Sequence, residues 1–422
     1  MQGPVAIILA AGLGKRMKSD RAKVVHEVCG RPMIQYVVEA ARTAGARTII
    51  VVVGAGAEQV RAVLQDEPDV QFANQVRQLG TGDAVLACRA LLKDYQGPAL
   101  VLVGDEPLLR PEPLAELLER QRADKAACLL GTAYLDDPTG FGRIARDSAG
   151  DFRTIIEQRD CLPEQRAIRE VNPSCYVFEL PTLWNALDRL DTGNAQGEYY
   201  LTDAPAILMR LGHKVIAVPA LEANDILGIN TRQHIAEAYA IMQWRIHDRH
   251  MTNGVSIVDP RTTYIDSQAE IGQDTVILPF TTISGRVRIG RNCRVGPYTH
   301  LREGTVLDDG VDVGAFVEIK NAHLASGATA RHLAYLGDAE IGPGVNIGAG
   351  AVTANFDGRT KASTEIGEAA MIGANAVLVA PVRIGAGAVV GAGAVVLKNQ
   401  DVAPGQVVVG SPARPLGDRV GH

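Results

Sequence analysis

The stretch IGAGAVVGAGAVV (384–396) places an aliphatic residue at every sixth position and fills the spaces with glycine, alanine and valine. A period of six fits neither a lone α-helix nor a simple alternating strand. It fits a coil with three equivalent sides, each of which contributes one inward aliphatic residue from a short strand. Small residues beside each aliphatic one let the backbone turn the corner. The stretch therefore predicts a parallel β-helix.

The six-residue period extends well beyond that stretch. Aliphatic residues recur in two runs, at positions 271, 277, 283, 289, 295, 301, 307, 313 and 319, and at positions 366, 372, 378, 384, 390, 396, 402 and 408. A low-complexity Gly/Ala segment is the alternative, but composition alone would not hold seventeen aliphatic residues in register. The two runs are out of register, so we expect an interruption at 320–365, and breaks in a repeat often hold the function.

The N-terminal half has a different pattern. Short β-rich runs alternate with helical stretches up to about residue 227, which predicts a parallel sheet wrapped by helices. At 235–250, apolar residues at helical spacing on a charged background predict a connecting helix. We therefore expect domains at 1–227 and 251–422, joined by a linker helix at 228–250.

Composition limits the classes of partner. The net charge of −6 argues against bulk attraction to nucleic acid or anionic lipid, so phosphate binding must come from a local arrangement. The six cysteines lack C-x-x-C spacing, which suits reduced core thiols better than disulfides or zinc. No apolar run reaches the roughly 18 residues of a membrane helix. We expect a cytoplasmic protein with small-molecule partners, without nucleic acid binding or membrane insertion.

The segment LAAGLGKRMKSDRAK (9–23) directly follows a predicted strand. Its glycines would let backbone N–H groups approach phosphate oxygens, and Lys15, Arg16 and Lys23 add positive charge. A lone G-x-G also occurs in strand-to-helix turns for packing reasons alone. Asp105 follows the apolar run ALVLVG (99–104), where a carboxylate could hold magnesium at the carboxyl end of a strand or simply serve a turn.

The whole 9–23 string resembles the signature of sugar-1-phosphate nucleotidyltransferases, with Ala22 where that family usually has proline. Further matches follow in the family's order: QLGTG (78–82), GDEPL (104–108), TGFGRI (139–144), IIEQRD (155–160), NAQGEYYLTD (194–203) and GIN (228–230). This ordered set, together with the hexapeptide half, resembles the bifunctional N-acetylglucosamine-1-phosphate uridyltransferase/glucosamine-1-phosphate acetyltransferases of bacteria. The resemblance implies a Rossmann-like α/β nucleotidyltransferase domain followed by a left-handed parallel β-helix.

The resemblance also implies the substrates and the residues of the first site. UTP would react with N-acetylglucosamine-1-phosphate to give UDP-N-acetylglucosamine and pyrophosphate, with Mg²⁺ held by Asp105 and Asn230. The implied nucleotide and sugar-nucleotide residues are Leu9, Ala10, Ala11, Gly12, Arg16, Lys23, Gln75, Gly80, Thr81, Gly104, Asp105, Gly142, Glu157, Asn172 and Asn230. A sugar phosphate is already an ionised nucleophile, so its in-line attack needs charge neutralisation and alignment but no general base.

The second site is expected in the interrupted part of the repeat. Acetyl transfer from a thioester to an amine needs a base and a donor that steadies the oxyanion. His332 is the natural base, although a lone histidine is more often an ordinary structural side chain, and His300 and His323 carry no comparable motif. The string ARHLAYLGDAEIG (330–342) closely resembles the acetyltransferase motif of the same bifunctional family.

That resemblance implies His332 as the catalytic base, Glu318 as a helper and Asn355 as the oxyanion donor, in acetyl transfer from acetyl-CoA to glucosamine-1-phosphate. The implied sugar-phosphate residues are Arg302, Lys320, Tyr335, Asn346 and Lys361, and the implied acetyl-CoA residues are Ala349, Asn355, Phe356, Ala374 and Ala392. Phe356 stands where the family usually has tyrosine, and Ala374 stands where serine is common.

Two interpretations of the β-helix remain open at this point. It is either a second catalytic domain or a structural and oligomerising part of a monofunctional nucleotidyltransferase. The grouping of His332, Lys320, Tyr335 and Asn355 favours the first, since a purely structural coil has no reason to carry this set. Enzymes with this repeat are usually trimers, so the resemblance also implies a homotrimer whose acetyltransferase residues come from more than one chain. The product would enter cell-wall synthesis.

Overall fold

The structure is a computed structural model that describes residues 3–416. By internal contacts the chain divides into two compact units, Met1–Ile241 and Met242–His422. The boundary falls within a helix that runs from Arg232 to Thr252, which contains the helix predicted at 235–250. Among the described residues, no helix is long and apolar enough to cross a membrane.

Unit 1 is built around one twisted sheet. The strands of unit 1 are β1 Val5–Leu9, β2 Glu27–Val28, β3 Arg31–Pro32, β4 Thr48–Val53, β5 Val70–Asn74, β6 Pro98–Val103, β7 Cys128–Tyr134, β8 Gly142–Arg146, β9 Phe152–Ile156, β10 Glu170–Glu179 and β11 Val215–Val218, of which β2 and β3 form a separate two-stranded sheet. The helices are α1 Met33–Thr43, α2 Ala57–Val63, α3 Thr81–Leu86, α4 Pro111–Asp124, α5 Leu180–Leu187, α6 Ala204–Arg210 and the shared α7 Arg232–Thr252. The sheet order is β11-β7-β10-β6-β1-β4-β5.

The sheet is mixed, whereas the alternating pattern predicted a parallel one. Strands β1, β4, β5 and β6 are parallel, but β10 runs antiparallel to both β6 and β7. The reversal follows from the hairpin of β8 and β9, which returns the chain to the sheet without a crossover helix. The prediction of helices on both faces is confirmed, because Ile7 and Ile8 of β1 face separate buried apolar clusters.

Unit 2 is a stack of coils, and each coil adds one short strand to each of three flat faces described within 256–415. Face 1 contains β12 Ser256–Ile257, β15 Val276–Ile277, β18 Arg294–Val295, β21 Asp312–Ala315, β24 Thr329–His332, β27 Asn346–Ile347, β30 Met371–Ile372, β33 Val389–Val390, β35 Val407–Val409 and, antiparallel to it, β36 Arg414–Pro415.

The strands of the other two faces come between those of face 1 in the chain. Face 2 contains β13 Tyr264–Ile265, β16 Thr282–Ile283, β19 His300–Leu301, β22 Glu318–Lys320, β25 Tyr335–Gly337, β28 Val352–Ala354, β31 Val377–Val379 and β34 Val395–Val396. Face 3 contains β14 Glu270–Ile271, β17 Arg288–Ile289, β20 Val306–Leu307, β23 His323–Leu324, β26 Ala339–Ile341, β29 Thr364–Ile366 and β32 Val382–Ile384. The predicted three-sided parallel β-helix is confirmed.

The expected interruption at 320–365 is not a break in the coil. The inward positions pass from Ile319 to Leu324 and from Leu336 to Ile341 in steps of five residues, and the parallel pairing continues through both. A longer corner then separates β28 from β29, so that Ile341 pairs with Ile366. Two shortened corners and one lengthened corner therefore put the two runs out of register.

The corner between faces 1 and 2 carries a ladder of exposed apolar side chains. Phe280, Tyr298, Phe316 and Leu333 take this position in successive coils, all at positive φ. The three rings stack with centroids 4.7 and 5.1 Å apart. Further along the same corner the side chains are small, and we call Ala349, Ala374 and Ala392 the small-residue row. We call the four bulky residues the corner ladder.

Candidate active sites

A cavity of about 360 Å³ opens in unit 1 at the carboxyl ends of β1 and β6. This is the edge of an open α/β sheet at which ligands bind. Its lining includes the following residues from the predicted set: Leu9, Ala10, Ala11, Gly12, Lys23, Gln75, Gly80, Thr81 and Asp105. Segments far apart in the chain thus converge on one space, as the motif order implied.

Polar contacts hold the two loops that face this cavity. Gln78 Nε2 donates to the carbonyl oxygen of Ala11 at 2.8 Å, and Gln75 Nε2 donates to the carbonyl oxygen of Gly80 at 3.0 Å. Gly80 has a φ of 120°, and a Cβ there would lie 2.5 Å from the Tyr199 carbonyl oxygen. Only glycine fits this position without moving the backbone.

Gly104 lies between two residues of the cavity lining, Val103 and Asp105, but does not line the cavity itself. Its N–H donates to the Leu9 carbonyl oxygen at 2.9 Å, which ties the end of β6 to the end of β1. A Cβ on Gly104 would lie 2.9 Å from Ile34 Cδ1. The residue therefore sets the close approach of the two strands whose ends carry the site.

Four charged or amide side chains meet beside the cavity. Lys23 Nζ donates to Asp105 Oδ2 and, at 3.2 Å, to Asn230 Oδ1. Arg16 Nη2 donates to the same Asn230 oxygen at 2.8 Å. The oxygens of Asp105 and Asn230, the expected metal ligands, therefore converge on one cation. A carboxylate and an amide carbonyl are hard oxygen ligands of the kind that Mg²⁺ prefers, so the donor set fits magnesium.

Glu106, next to Asp105, points elsewhere. Its side chain is buried, and its Oε2 atom has no hydrogen-bond partner among the described residues. Burial, and then the charge of Asp105, raise the pKa of Glu106 well above its usual value. The two adjacent carboxyl groups thus lie in different environments, as expected for neighbours on an extended segment.

The residues expected to hold the sugar also lie together. Gly142 and Asn172 pair in adjacent strands β8 and β10, and a Cβ on Gly142 would lie 3.7 Å from Glu157 Oε1. Asn172 Nδ2 donates to the Tyr176 hydroxyl at 2.7 Å, which fixes the amide. Burial raises the pKa of Glu157. Glu157 also lines a larger cavity of about 840 Å³, with Asp160 and Tyr200 among its other residues.

The sequence did not single out two polar residues that line the smaller cavity, Gln78 and Glu198. Both lie inside the quoted motifs QLGTG and NAQGEYYLTD, so the signal was present. Nothing in the spacing of these motifs shows which of their side chains face a ligand.

In unit 2, a basic cluster lies on face 2. Arg302 Nη1 forms an ion pair with Glu318 Oε1 at 2.7 Å. The ammonium of Lys361 lies close enough to that of Lys320 to lower the pKa of Lys320. Lys361 reaches this face from the lengthened corner between β28 and β29. Four of the residues expected at the sugar-phosphate or helper positions therefore share one surface.

Tyr335 and Asn355 lie on either side of Gly337 on the same face. A Cβ on Gly337 would lie 2.6 Å from the Tyr335 hydroxyl oxygen and 2.7 Å from Asn355 Nδ2. Asn355 Nδ2 donates to Asp338 Oδ2, and an amide nitrogen carries two N–H donors. The Asn355 amide therefore lies near the Tyr335 hydroxyl, with one of its N–H groups bonded to Asp338.

His332 lies at the end of β24, next to the corner between faces 1 and 2. It is exposed and pairs in register with Ala315 of β21. The small-residue row continues along this corner, since the N–H of Asn375 bonds to Ala349 and that of Gly393 bonds to Ala374. Glu318, the expected helper, is paired with Arg302.

One chain does not bring the whole expected acetyltransferase set together. Asn346 lies on face 1, where its Oδ1 accepts from Thr329 at 3.0 Å, while Lys320 and Lys361 are associated with face 2. Phe356 lies at the opposite end of β28 from the small-residue row. At about 3.3 Å per strand residue, the width of face 2 separates them by roughly 10 Å.

Comparisons with known proteins cover both units. Residues 6–170 match the family model of the MobA-like NTP transferase domain. Residues 268–303, 286–321 and 363–398 match the model of the bacterial transferase hexapeptide (six repeats). The bifunctional protein GlmU of Caldanaerobacter subterraneus subsp. tengcongensis is 42% identical over an alignment of 416 positions, which covers 91% of this chain and 90% of that protein.

The chain belongs to the GlmU family. The GlmU of Geobacillus sp. (strain WCH70) is also 42% identical, over 89% of each chain. A solved UDP-glucose pyrophosphorylase complexed with UDP-glucose aligns over 58% of this chain and all of its own, with a TM-score of 0.48 and 17% identity. The family membership confirms the resemblance seen in the sequence and, with the hexapeptide matches, its fold of a Rossmann-like α/β domain followed by a left-handed parallel β-helix.

Proposed function

We propose that this GlmU-family enzyme makes UDP-N-acetylglucosamine by two reactions. Acetyl transfer from acetyl-CoA to glucosamine-1-phosphate comes first, and uridylyl transfer from UTP then releases pyrophosphate. The observation that carries the proposal is the 42% identity, over nine-tenths of the chain, to proteins named as bifunctional. That relationship does not favour the alternative of a monofunctional nucleotidyltransferase with a structural β-helix.

In uridylyl transfer, unit 1 aligns the two phosphates. The 9–12 segment, Gly80 and Thr81 would hold the nucleotide in the 360 Å³ cavity, with Gln75 and Gly104 supporting the loops around it. Gly142, Glu157 and Asn172 would hold the sugar. The sugar phosphate oxygen attacks the α-phosphorus of UTP, and the bond from that phosphorus to the pyrophosphate oxygen breaks.

The cationic groups beside the cavity balance the charge of that reaction. Arg16 and Lys23 would bind phosphate oxygens, and Asp105 and Asn230 would hold Mg²⁺. A bound magnesium ion supplies charge neutralisation on the phosphates. Because alignment and charge account for the chemistry, no side chain of unit 1 needs to remove a proton.

In acetyl transfer, unit 2 supplies a general base and cationic residues that bind the sugar phosphate. His332 takes a proton from the amine as its nitrogen attacks the thioester carbon, and the coenzyme A thiolate then leaves. Arg302, Lys320 and Lys361 would bind the sugar phosphate, with Tyr335 and Asn346 contacting the sugar. Asn355 would donate to the oxyanion, and Glu318 would help through its ion pair with Arg302.

The coenzyme would lie along the corner between faces 1 and 2. The small side chains of Ala349, Ala374 and Ala392 follow one another along the corner next to which His332 lies, and they would let the coenzyme approach the backbone there. Phe356 would contact the coenzyme from a different copy of the chain, because face 2 separates it from this row. Its ring offers apolar contact but no hydroxyl.

A homotrimer would complete this site. Asn346 on face 1 and Lys361 at face 2 point to different sides of one coil, so both contact one ligand only if face 1 of one copy meets face 2 of another. The corner ladder gives such a contact an apolar surface, and contiguous exposed apolar groups commonly mark protein interfaces. A closed ring of like contacts is the usual form of a symmetric oligomer.

The location and use of the product follow from the proposed reaction. UTP and acetyl-CoA are cytoplasmic metabolites, so we place the enzyme in the cytoplasm. A nucleotide-activated N-acetylglucosamine is a donor for building polysaccharide, and we assign it to cell-wall synthesis.

The test is a coupled synthesis. The protein is incubated with glucosamine-1-phosphate, acetyl-CoA, UTP and magnesium, and UDP-N-acetylglucosamine is measured by mass spectrometry. Each half-reaction is also followed alone, with N-acetylglucosamine-1-phosphate supplied for the second. Product from the second half-reaction without product from the first would support the monofunctional alternative.

A further inference from the structure

Lys23 lies where the two proposed magnesium ligands converge. Its ammonium donates to Asp105 Oδ2 and to Asn230 Oδ1, and Arg16 donates to the same Asn230 oxygen. The side chains of Lys23 and Asp105 are only 17% and 16% exposed. Solvent and salt therefore screen this ion pair less than an exposed one.

These contacts occupy the acceptor sites that a metal ion would use. An amide oxygen has two lone pairs, and Asn230 Oδ1 already accepts from two protein cations. A divalent cation on Asp105 Oδ2 would also lie within a few ångströms of the Lys23 ammonium, where like charges repel strongly in a partly buried site. The ammonium and the metal therefore compete for the same oxygens.

We propose that Lys23 and magnesium exchange places during the uridylyl cycle. In the nucleotide-free enzyme the Lys23 ammonium holds the oxygens of Asp105 and Asn230. With metal and nucleotide bound, Asp105 and Asn230 would hold the metal through those oxygens, and the Lys23 ammonium would turn to the phosphates. Lys23 also lines the nucleotide cavity with Gly12 and Gly80, and its flexible four-carbon stem permits this movement. This exchange rests on the proposed uridylyltransferase function.

The exchange couples the two ligands. A nucleotide phosphate that draws Lys23 away frees the metal oxygens, and a metal that displaces Lys23 frees a cation for the phosphate. Each ligand therefore strengthens the binding of the other, as linkage requires. Removing the ammonium should consequently strengthen metal binding and weaken nucleotide binding, two changes of opposite sign from one substitution.

The experiment measures Mn²⁺, as a probe for Mg²⁺, by the electron paramagnetic resonance signal of the free ion. The full chain is titrated without nucleotide as wild type, Lys23→Met and Lys18→Met. Lys18 is an exposed lysine in the same loop, so its variant controls for loss of one positive charge. We expect Lys23→Met to bind Mn²⁺ roughly tenfold more tightly, since a charge-assisted competitor is lost, and Lys18→Met to match wild type.

The companion measurement is the KM for UTP, which we expect to rise in Lys23→Met. Mn²⁺ affinity equal to or weaker than that of wild type in a folded Lys23→Met protein would overturn the exchange. If that variant does not fold, Arg16→Met removes one of the two donors to Asn230, and a roughly threefold gain in Mn²⁺ affinity is expected. An unchanged affinity there would also overturn the proposal.

Synthesis of UDP-N-acetylglucosamine by the wild-type preparation separates the two conclusions. If the wild type makes product while Lys23→Met shows no gain in Mn²⁺ affinity, the exchange fails and the proposed function stands. If the wild type makes no product from UTP and N-acetylglucosamine-1-phosphate, the proposed function itself fails.

Discussion

The two candidate sites are assembled in opposite ways. In unit 1 the carboxyl ends of neighbouring strands form a concave edge, and residues as far apart as Gly12 and Asp105 line one cavity. In unit 2 the coil is a prism whose faces are flat and whose corners project. Its expected residues divide between face 1, face 2 and two corners. A sheet edge makes a crevice within one chain, whereas a prism makes one only against another surface.

The largest effect that would test this contrast comes from His332→Ala. We expect acetyl transfer to fall by roughly 10³-fold, the order expected for loss of a general base. Uridylyl transfer, which uses another unit, should keep its wild-type rate. Both half-reactions are assayed separately, with His323→Gln as a matched control on face 3. If His332→Ala kept its acetyl transfer activity, His332 would not be the catalytic base.

The reciprocal substitution is Asp105→Ala, which removes the carboxylate of the proposed metal site. Uridylyl transfer should fall at least about a hundredfold. The magnesium ion that neutralises the phosphates would lose its carboxylate ligand, so the transition state would lose that positive charge. Acetyl transfer should be unchanged, and Asp66→Ala, on an exposed carboxylate of the same unit, is the control. Uridylyl transfer at the wild-type rate would show that Asp105 holds no essential ion.

A lysine in the corner ladder tests whether the second site needs another copy of the chain. Phe316→Lys should place a charge in the proposed contact, reduce the mass measured by light scattering, and lower acetyl transfer by about tenfold. Uridylyl transfer should persist, since its cavity is complete in one chain. The control is Leu397→Lys, an exposed apolar residue at another corner. A monomeric wild type with full acetyl transfer would contradict the shared site.

A smaller change acts on the interior of face 2. In Gly337→Ala the new methyl group would meet the Tyr335 hydroxyl and the Asn355 amide, and both flexible ends would have to move. We expect a rise of about fivefold in KM for glucosamine-1-phosphate, with an unchanged melting temperature. An unaltered KM would indicate that neither side chain positions the sugar.

The smallest effect concerns His323 on face 3, which lies 3.1 Å from both Asp308 and Glu340. Burial opposes its charged form, but the hydrogen bonds and charges of the two carboxylates prevail and raise the pKa of His323. A raised pKa stabilises the folded state below the unfolded value of about 6.5 and loses that contribution as pH rises through the folded value.

We therefore expect the unfolding free energy of wild type, relative to His323→Gln, to decline by a few tenths of a kcal/mol from about pH 6 to pH 8, because exposed ion pairs are weak. Denaturant unfolding of both proteins across this range measures the difference. A difference that grows with pH would contradict the assignment. Both activities should survive in His323→Gln, since face 3 carries neither proposed site.

Much of this organisation was readable from the sequence because the repeat has a strong physical cause. Each coil buries one aliphatic residue per side, so the period of six predicted the faces directly. The continuity of the coil through 320–365 was not readable, since Leu324 and Ile341 arrive one position early when a corner is shortened. The antiparallel strand β10 was also missed, because a buried strand carries the same apolar pattern in either direction.

The two candidate sites were also predictable from the sequence only in part. Nine of the residues implied by the resemblance line the cavity of unit 1, since loops at one sheet edge must meet. The motif order did not predict that Lys23 would lie on both candidate metal ligands, because side-chain direction is not encoded in spacing. In unit 2 the sequence identified the residue types but not their exact place in the coil, because each shortened corner shifts every later inward position by one residue.

The lengthened corner after β28 shows where this fold accepts inserted residues. Ile341 and Ile366 lie 25 positions apart yet pair as neighbours, and Ile366 then pairs with Ile384 at the ordinary distance of 18. A coil contacts only the coils above and below it, so extra residues can be inserted as a protruding loop at a corner without disturbing the stack. Functional residues can thus be added or changed in such a loop without altering the stacked coils. For the same reason, we expect this β-helix to tolerate a loop inserted at another corner.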